Sequence, residues 1–246
     1  KDIAMMDQVR SLLGWDQEVL MPPKAAELRG EQIAWISRES HKRKTSPRVG
    51  ELLDELEERV DLGDIESANV RLAREAYDKA TRLPTGFVSE LAKHNSKSLI
   101  SWTEARRNND FSMFRDDLSK SIEFARKKAD YLGYEDLRYD ALLDNYESGL
   151  TVSRLDPLFE GLRNKVAPLI RSVAERGERP DISWVTENSW EQVGQERLSQ
   201  KVSESIGFDF EAGRRDASTH PFCGGPNPDD VRWTTRYSDT DPFGSL

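Results

Sequence analysis

One cysteine, Cys223, and three histidines are all that this 246-residue chain carries of the soft metal ligands and disulfide formers. A single thiol closes no internal disulfide, so a reducing cytoplasm is the simplest compartment. No segment approaches the roughly 18 consecutive apolar residues needed to cross a bilayer. The opening KDIAMMDQVRSLLGWDQ also lacks the unbroken apolar core of a signal peptide. Basic charge is in deficit, with 36 Lys and Arg against 45 Asp and Glu and a formal net charge of −9. That balance argues against a general nucleic-acid binder, which normally leaves a basic footprint. A peptidase zinc helix needs two His at i and i+4, but the residues four after His41, His94 and His220 are Thr45, Ser98 and Gly224. Cys223 follows His220 at a spacing of three, but Pro221 lies between them and a Gly-Pro loop follows, so it reads as a lone thiol. The chain is therefore expected to hold no catalytic zinc by itself.

What is present favours helices. Only 36% of residues are hydrophobic and 33% are charged, which suits amphipathic helices with solvated outer faces. Ile3, Met6, Val9, Leu12 and Leu13 follow helical spacing, with Gly14 as a stop before a turn over Trp15 to Glu18. Pro22 and Pro23 open a second helix carrying Leu28, Ile33 and Ile36. A third has Ser46 as cap, Pro47 at its first position and Val49, Leu52, Leu53 and Leu56 as its stripe. Asp64 caps a fourth that runs to about Arg82 through Ile65 and Leu72, where Pro84 stops it. Further helices are expected from about Thr85 to Asn108, from the Asp110 cap to about Leu132, and from about Ser189 to Ser205. Between them a long one follows the cap at Thr151 or Ser153, striped by Leu155, Leu158, Leu162, Val166, Leu169 and Val173, with Pro168 as a kink and Gly177 and Pro180 as its end. No internal repeat or low-complexity linker interrupts this pattern.

After Gly207 the texture changes. In THPFCGGPNPDDVRWTTRY, Thr219 to Tyr237, the end alternates with period two: Val231, Trp233, Thr235 and Tyr237 on one face, Asp230, Arg232, Thr234 and Arg236 on the other. A strand over Val231 to Tyr237 is expected, antiparallel to a segment near Ala217 to Phe222 across the Gly-Pro loop. Its polar face offers two guanidinium forks suited to carboxylates. From spacing alone, Asp230 and Asp239 could neutralise both forks in a surface network, and His220 could be an ordinary hydrogen-bonding residue. Trp15 reads first as packing and capping, Trp35 and Trp102 as core or interface, and HKRK at His41 to Lys44 as a solvated helix end.

HPF followed by DxRxT resembles the thermostable metallocarboxypeptidases of the carboxypeptidase Taq family. Four blocks carry the resemblance: LLGWDQEVLMPP from Leu12, ELAKHNSKSLISWTEARRNNDF from Glu90, YDALLDNYESGLTVSRLDPLF from Tyr139, and GFDFEAGRRDASTHPF from Gly207. The resemblance implies a mainly α, multi-helix architecture like that of cleft peptidases, with a small antiparallel β-sheet near the C-terminal end. It implies a helical region over residues 1–206 and a β-containing cleft wall over 207–246. It places His220, Pro221 and Phe222 on the wall of the metal cleft and Asp230, Arg232 and Thr234 along the peptide groove. It does not make His220 a zinc ligand, and Arg236 falls outside the motif. The implied activity is zinc-dependent release of single residues from peptide C-termini, with no nucleic acid or membrane partner and a homodimer left open. In such an enzyme the metal activates water and a glutamate acts as general base. The family's HExxH zinc helix follows the DxRxT strand and does not occur in this sequence, so this portion alone is expected to be inactive and to leave apolar surface, including Phe243 and Leu246, uncovered. The contrasting expectation is a non-catalytic helical binding or scaffold protein on the same fold.

Overall fold

The computed structural model describes residues 1–178 and 180–244. It divides into two compact units, one formed by Lys1–Ser121 with the segment from Val185 onward, the other by Ile122–Trp184. The elements run α1 (Asp2–Val19), a 3-10 turn (Pro23–Ala25), α2 (Ala26–Lys44), α3 (Pro47–Glu57), α4 (Asp64–Thr81), α5 (Thr85–Asn108), α6 (Ser112–Leu132), α7 (Asp140–Leu143), α8 (Val152–Arg176), α9 (Ser183–Thr186) and α10 (Gln192–Ser205). Strands β1 (Gly213–Ala217), β2 (Cys223–Asn227) and β3 (Asp230–Thr235) follow. The mainly helical class with a small sheet near the C-terminal end is as expected. None of the helices, among the described residues, is long and apolar enough to cross a membrane.

In the first unit α2 packs along α5, α1 lies on α2, and α3 pairs with α4. Small residues allow the α2–α5 approach: Gly30 and Ala34 face α5, where the Ser89 hydroxyl donates to the Ala34 carbonyl at 3.4 Å. Trp15, Ala34, Ile36, Leu53, Phe87 and Ala105 form the buried apolar core. Arg29 ties α2 to α1, with Nη1 donating to the Leu13 carbonyl at 2.8 Å and Nη2 to Asp16 at 2.6 Å. Proline marks two helix starts: Pro47 sits in the first turn of α3, and Pro84 precedes α5 with extended backbone. Asp110 accepts from the Ser112 amide at 2.9 Å, which caps α6 as anticipated. The second unit buries Phe124, Ala129, Leu132 and Ala141. Its α8 contains Pro157 and Pro168 and has no buried residue, and Leu158, Leu162, Val166, Leu169 and Val173 are all exposed.

Several local expectations are corrected. Helix α1 continues through Gly14, where a Cβ would meet nothing within 4 Å, so the turn expected at Trp15 is helical and Trp15 joins the core. Gly63 takes the N-cap position of α4, with Asp64 as the first helical residue, and Ile65 and Leu72 stay exposed. Trp35 is likewise exposed. His41 is buried and not solvated: its Nε2 donates to the Ala80 carbonyl at 3.0 Å, so Nδ1 accepts from the Thr85 hydroxyl at 3.1 Å. Its basic neighbours do stay on the surface, Lys42 with Glu39 and Lys44 with Asp7. Helix α10 begins at Gln192, three residues after the expected Ser189.

The sheet also differs in detail. Its order is β1-β3-β2, with β3 central. β3 runs antiparallel to β2 and parallel to β1, so the sheet is mixed. The Gly-Pro segment expected as the reversal is itself the antiparallel partner, and the chain turns at Pro228 and Asp229. Gly225, at φ 144°, makes this possible, because a Cβ there would come within 2.2 Å of the Asp230 carbonyl oxygen.

Candidate functional site

The parallel pairing sets Arg214 beside Arg232 and Asp216 beside Thr234. Successive strand residues point to opposite faces, so these four and Asp230 share one face, and Arg215 and Trp233 share the other. Each arginine on the first face is held by the aspartate two residues away. Arg214 Nε and Nη2 donate to the Asp216 carboxylate at 2.8 and 2.6 Å. Arg232 Nε and Nη2 donate to Asp230 in the same manner, the second at 3.0 Å. Both guanidinium groups lie against the indole of Trp15, Arg232 at 4.4 Å and Arg214 at 5.0 Å from the ring centroid. The expected surface network therefore resolves into one specific pair, Asp230 with Arg232, while Arg236 stands exposed.

Thr234 is buried, and its hydroxyl joins three segments. The Phe222 amide donates to it at 2.9 Å, the Ser218 hydroxyl shares a bond with it at 2.7 Å, and the Thr234 amide donates to the Phe222 carbonyl at 2.7 Å. This knot anchors the HPF segment to β3. His220 and Pro221 are exposed beyond it, with His220 Nδ1 donating to the Pro221 carbonyl at 3.1 Å. The His220 ring is tilted against Trp102 of α5, 6.3 Å between centroids.

Two hollows flank this part of the unit. One, of about 180 Å³, is lined by Gln17, Glu18, Leu99, Thr103, Glu104 and Thr219. Burial pushes the Glu18 carboxyl above its ordinary value, and the nearby His220 draws it partly back. Gln17 is fixed by an exchange with Ser96, Nε2 to the Ser96 carbonyl at 2.8 Å and the Ser96 hydroxyl to Oε1 at 2.9 Å. The other hollow is bordered by Trp102, Arg106, Phe111 and Phe114, with the Arg106 guanidinium 5.7 Å from the Trp102 ring.

The structure thus gathers Asp230, Arg232 and Thr234 with Phe222 and places His220 and Pro221 at their rim. Sequence reasoning missed Trp15, Arg214, Asp216 and Glu18. The RRD run at Arg214 to Asp216 carried a signal, since an Arg and an Asp two apart mirror Asp230 and Arg232. Trp15 carried none, because its partners lie some two hundred residues away in the chain.

A mainly helical fold bearing a small mixed sheet near its C-terminal end is shared with one group of metallopeptidases. The family model for carboxypeptidase Taq (M32) metallopeptidase matches residues 1–246, and the chain belongs to that family. It is 36% identical to carboxypeptidase 1 of Bacillus subtilis over 242 residues, covering 98% of this chain and 48% of that protein. Thermostable carboxypeptidase 1 of Thermus thermophilus is 35% identical over 250 residues, covering 96% and 49%. Among solved structures, the crystal structure of BsuCP superposes with a TM-score of 0.94 at 36% identity over 99% of this chain and 49% of its own. The structure of Pyrococcus furiosus carboxypeptidase Apo-Mg gives a TM-score of 0.84 at 33% identity, covering 99% and 49%. The chain spans about half the length of the curated relatives it matches.

The family implies a metal. Among the described residues no three His, Cys, Asp or Glu side chains come together to hold one. The carboxylates on the sheet face, Asp216 and Asp230, are committed to guanidinium groups. These described residues do not fit a metal centre.

Proposed function

We propose that this chain supplies one wall of the peptide groove of a carboxypeptidase that removes residues from peptide C-termini, and that the zinc ligands belong to sequence outside it. The observation that carries this is the state of Arg232. Its Nε and Nη2 edge is taken by Asp230 and its face by Trp15, which leaves the Nη1 end of the fork for a substrate carbonyl or carboxylate. Asp230 orients the fork, and Thr234 acts from beneath by holding Phe222 and the HPF segment in place. His220 and Pro221 form the exposed lip that a bound peptide passes. The apolar stripe of α8, uncovered in this structure, supports a fold completed by further chain. The exposed free thiol of Cys223 suits a reducing cytoplasm.

The test is C-terminal residue release from a short peptide, assayed on this chain, on the protein with the second half its relatives possess, and on that longer protein carrying Arg232→Ala. The expected order is none, full, and a loss concentrated in kcat/KM. Equal activity in the first two would defeat the half-site assignment. An unchanged kcat/KM in the third would remove Arg232 from the groove.

A further inference from the structure

We propose that Trp15 is a positioning residue whose indole holds Arg214 and Arg232 side by side as a twin-guanidinium receptor for a peptide carboxylate or carbonyl; the receptor role rests on the groove assignment above, the positioning does not. Arg214 and Arg232 are register partners on adjacent parallel strands, a placement in which like charges repel. Two features offset the repulsion. Each fork carries its own aspartate on the Nε and Nη2 edge, and both cations approach the one indole within the range of cation–π attraction. The same edge is occupied in both arginines, so both present the same free Nη1 end. Simple packing does not account for Trp15. The residue is 7% exposed and its Nε1–H is buried without an acceptor, a cost that Phe or Leu at this place would avoid. What Phe would supply less well, and Leu not at all, is an electron-rich face broad enough for two cations. The opening of the chain thereby reaches a site built about two hundred residues later.

The experiment follows the arginine side-chain Nε–H signals of this chain by nuclear magnetic resonance, with Trp15→Phe and Trp15→Leu. In the unsubstituted chain the ring current should displace the Arg214 and Arg232 signals upfield, with slow guanidinium rotation. Trp15→Phe should keep part of the displacement and Trp15→Leu should abolish it and free the rotation. In the longer protein, Trp15→Leu should raise KM about tenfold with kcat nearly held, and Trp15→Phe should restore most of it. Two undisplaced, freely rotating signals in the unsubstituted chain would overturn the proposal even if Trp15→Leu failed to fold. So would signals unchanged in a folded Trp15→Leu. If instead the signals collapse as expected while Arg232→Ala leaves kcat/KM unaltered, the groove assignment falls and the positioning role stands.

Discussion

Replacing Thr234 by Val keeps the volume and the β-branched shape and removes one hydroxyl. In the structure that hydroxyl accepts the Phe222 amide at 2.9 Å and shares a 2.7 Å bond with Ser218, and Thr234 itself is only 5% exposed. A third contact, to the Phe222 carbonyl at 3.4 Å, is too long to count for much. Leaving the Phe222 amide without its acceptor costs about 1–2 kcal/mol, and losing the Ser218 bond about 1 kcal/mol more. The expected destabilisation is therefore about 2–3 kcal/mol. For a chain of this length that is a fall in Tm of roughly 4–12 °C. Thr234→Ser keeps the hydroxyl and should recover more than half of the loss. Thermal unfolding gives the energies, and amide exchange at Phe222 localises them, since exchange there should accelerate in Thr234→Val only. Equal losses in the two variants would refute the hydrogen-bond accounting, because Thr234→Ser keeps the hydroxyl that Thr234→Val removes. A loss below about 0.5 kcal/mol would show that Thr234 does not anchor the HPF segment.

Three further outcomes are expected. Arg29→Ala should lower stability by about 2 kcal/mol in urea titration, because the side chain is 13% exposed and its removal leaves Asp16 without its ion-pair partner and unties α2 from α1. Gly225→Ala should cost at least about 2 kcal/mol and broaden the β2 and β3 resonances, since the new Cβ has 2.2 Å to the Asp230 oxygen and a φ of 144° to tolerate. Glu18→Gln should stabilise the chain at neutral pH. Burial raises the Glu18 carboxyl against a smaller opposing pull from His220, so the folded state binds the proton more tightly than the unfolded one, and stability falls as pH rises through that window. The advantage of the variant in paired melts should therefore shrink as pH falls through the ordinary glutamate range and vanish near about pH 3, where the carboxyl is neutral in both folded and unfolded states; a gap independent of pH would contradict it.

Elements whose causes are local were legible in the chain. Proline at position 47 and before Thr85, the Asp110 cap and the 3.6-residue spacing of apolar side chains set most helices, because each acts within a turn or two of its own backbone. Period two marked β3 for the same reason and sorted Arg232 and Thr234 onto one face before any partner strand was known. The gathering of Asp230, Arg232, Thr234 and Phe222 was legible to that extent. What those faces meet is set by packing between distant segments. Whether Gly14 ends α1 depends on what surrounds it, and the helix runs on because Trp15 finds a buried seat against β-strand arginines. His41 is a core residue because α4 and α5 offer it one carbonyl and one hydroxyl, which no pattern around HKRK encodes. The parallel β1–β3 register, which puts Arg214 beside Arg232, is a pairing between segments separated by all of β2, so neither strand's alternation specifies it. Periodicity states which side of an element is apolar, and α8 shows the limit: its stripe is plain in the sequence, yet burial is a property of the neighbour that covers it.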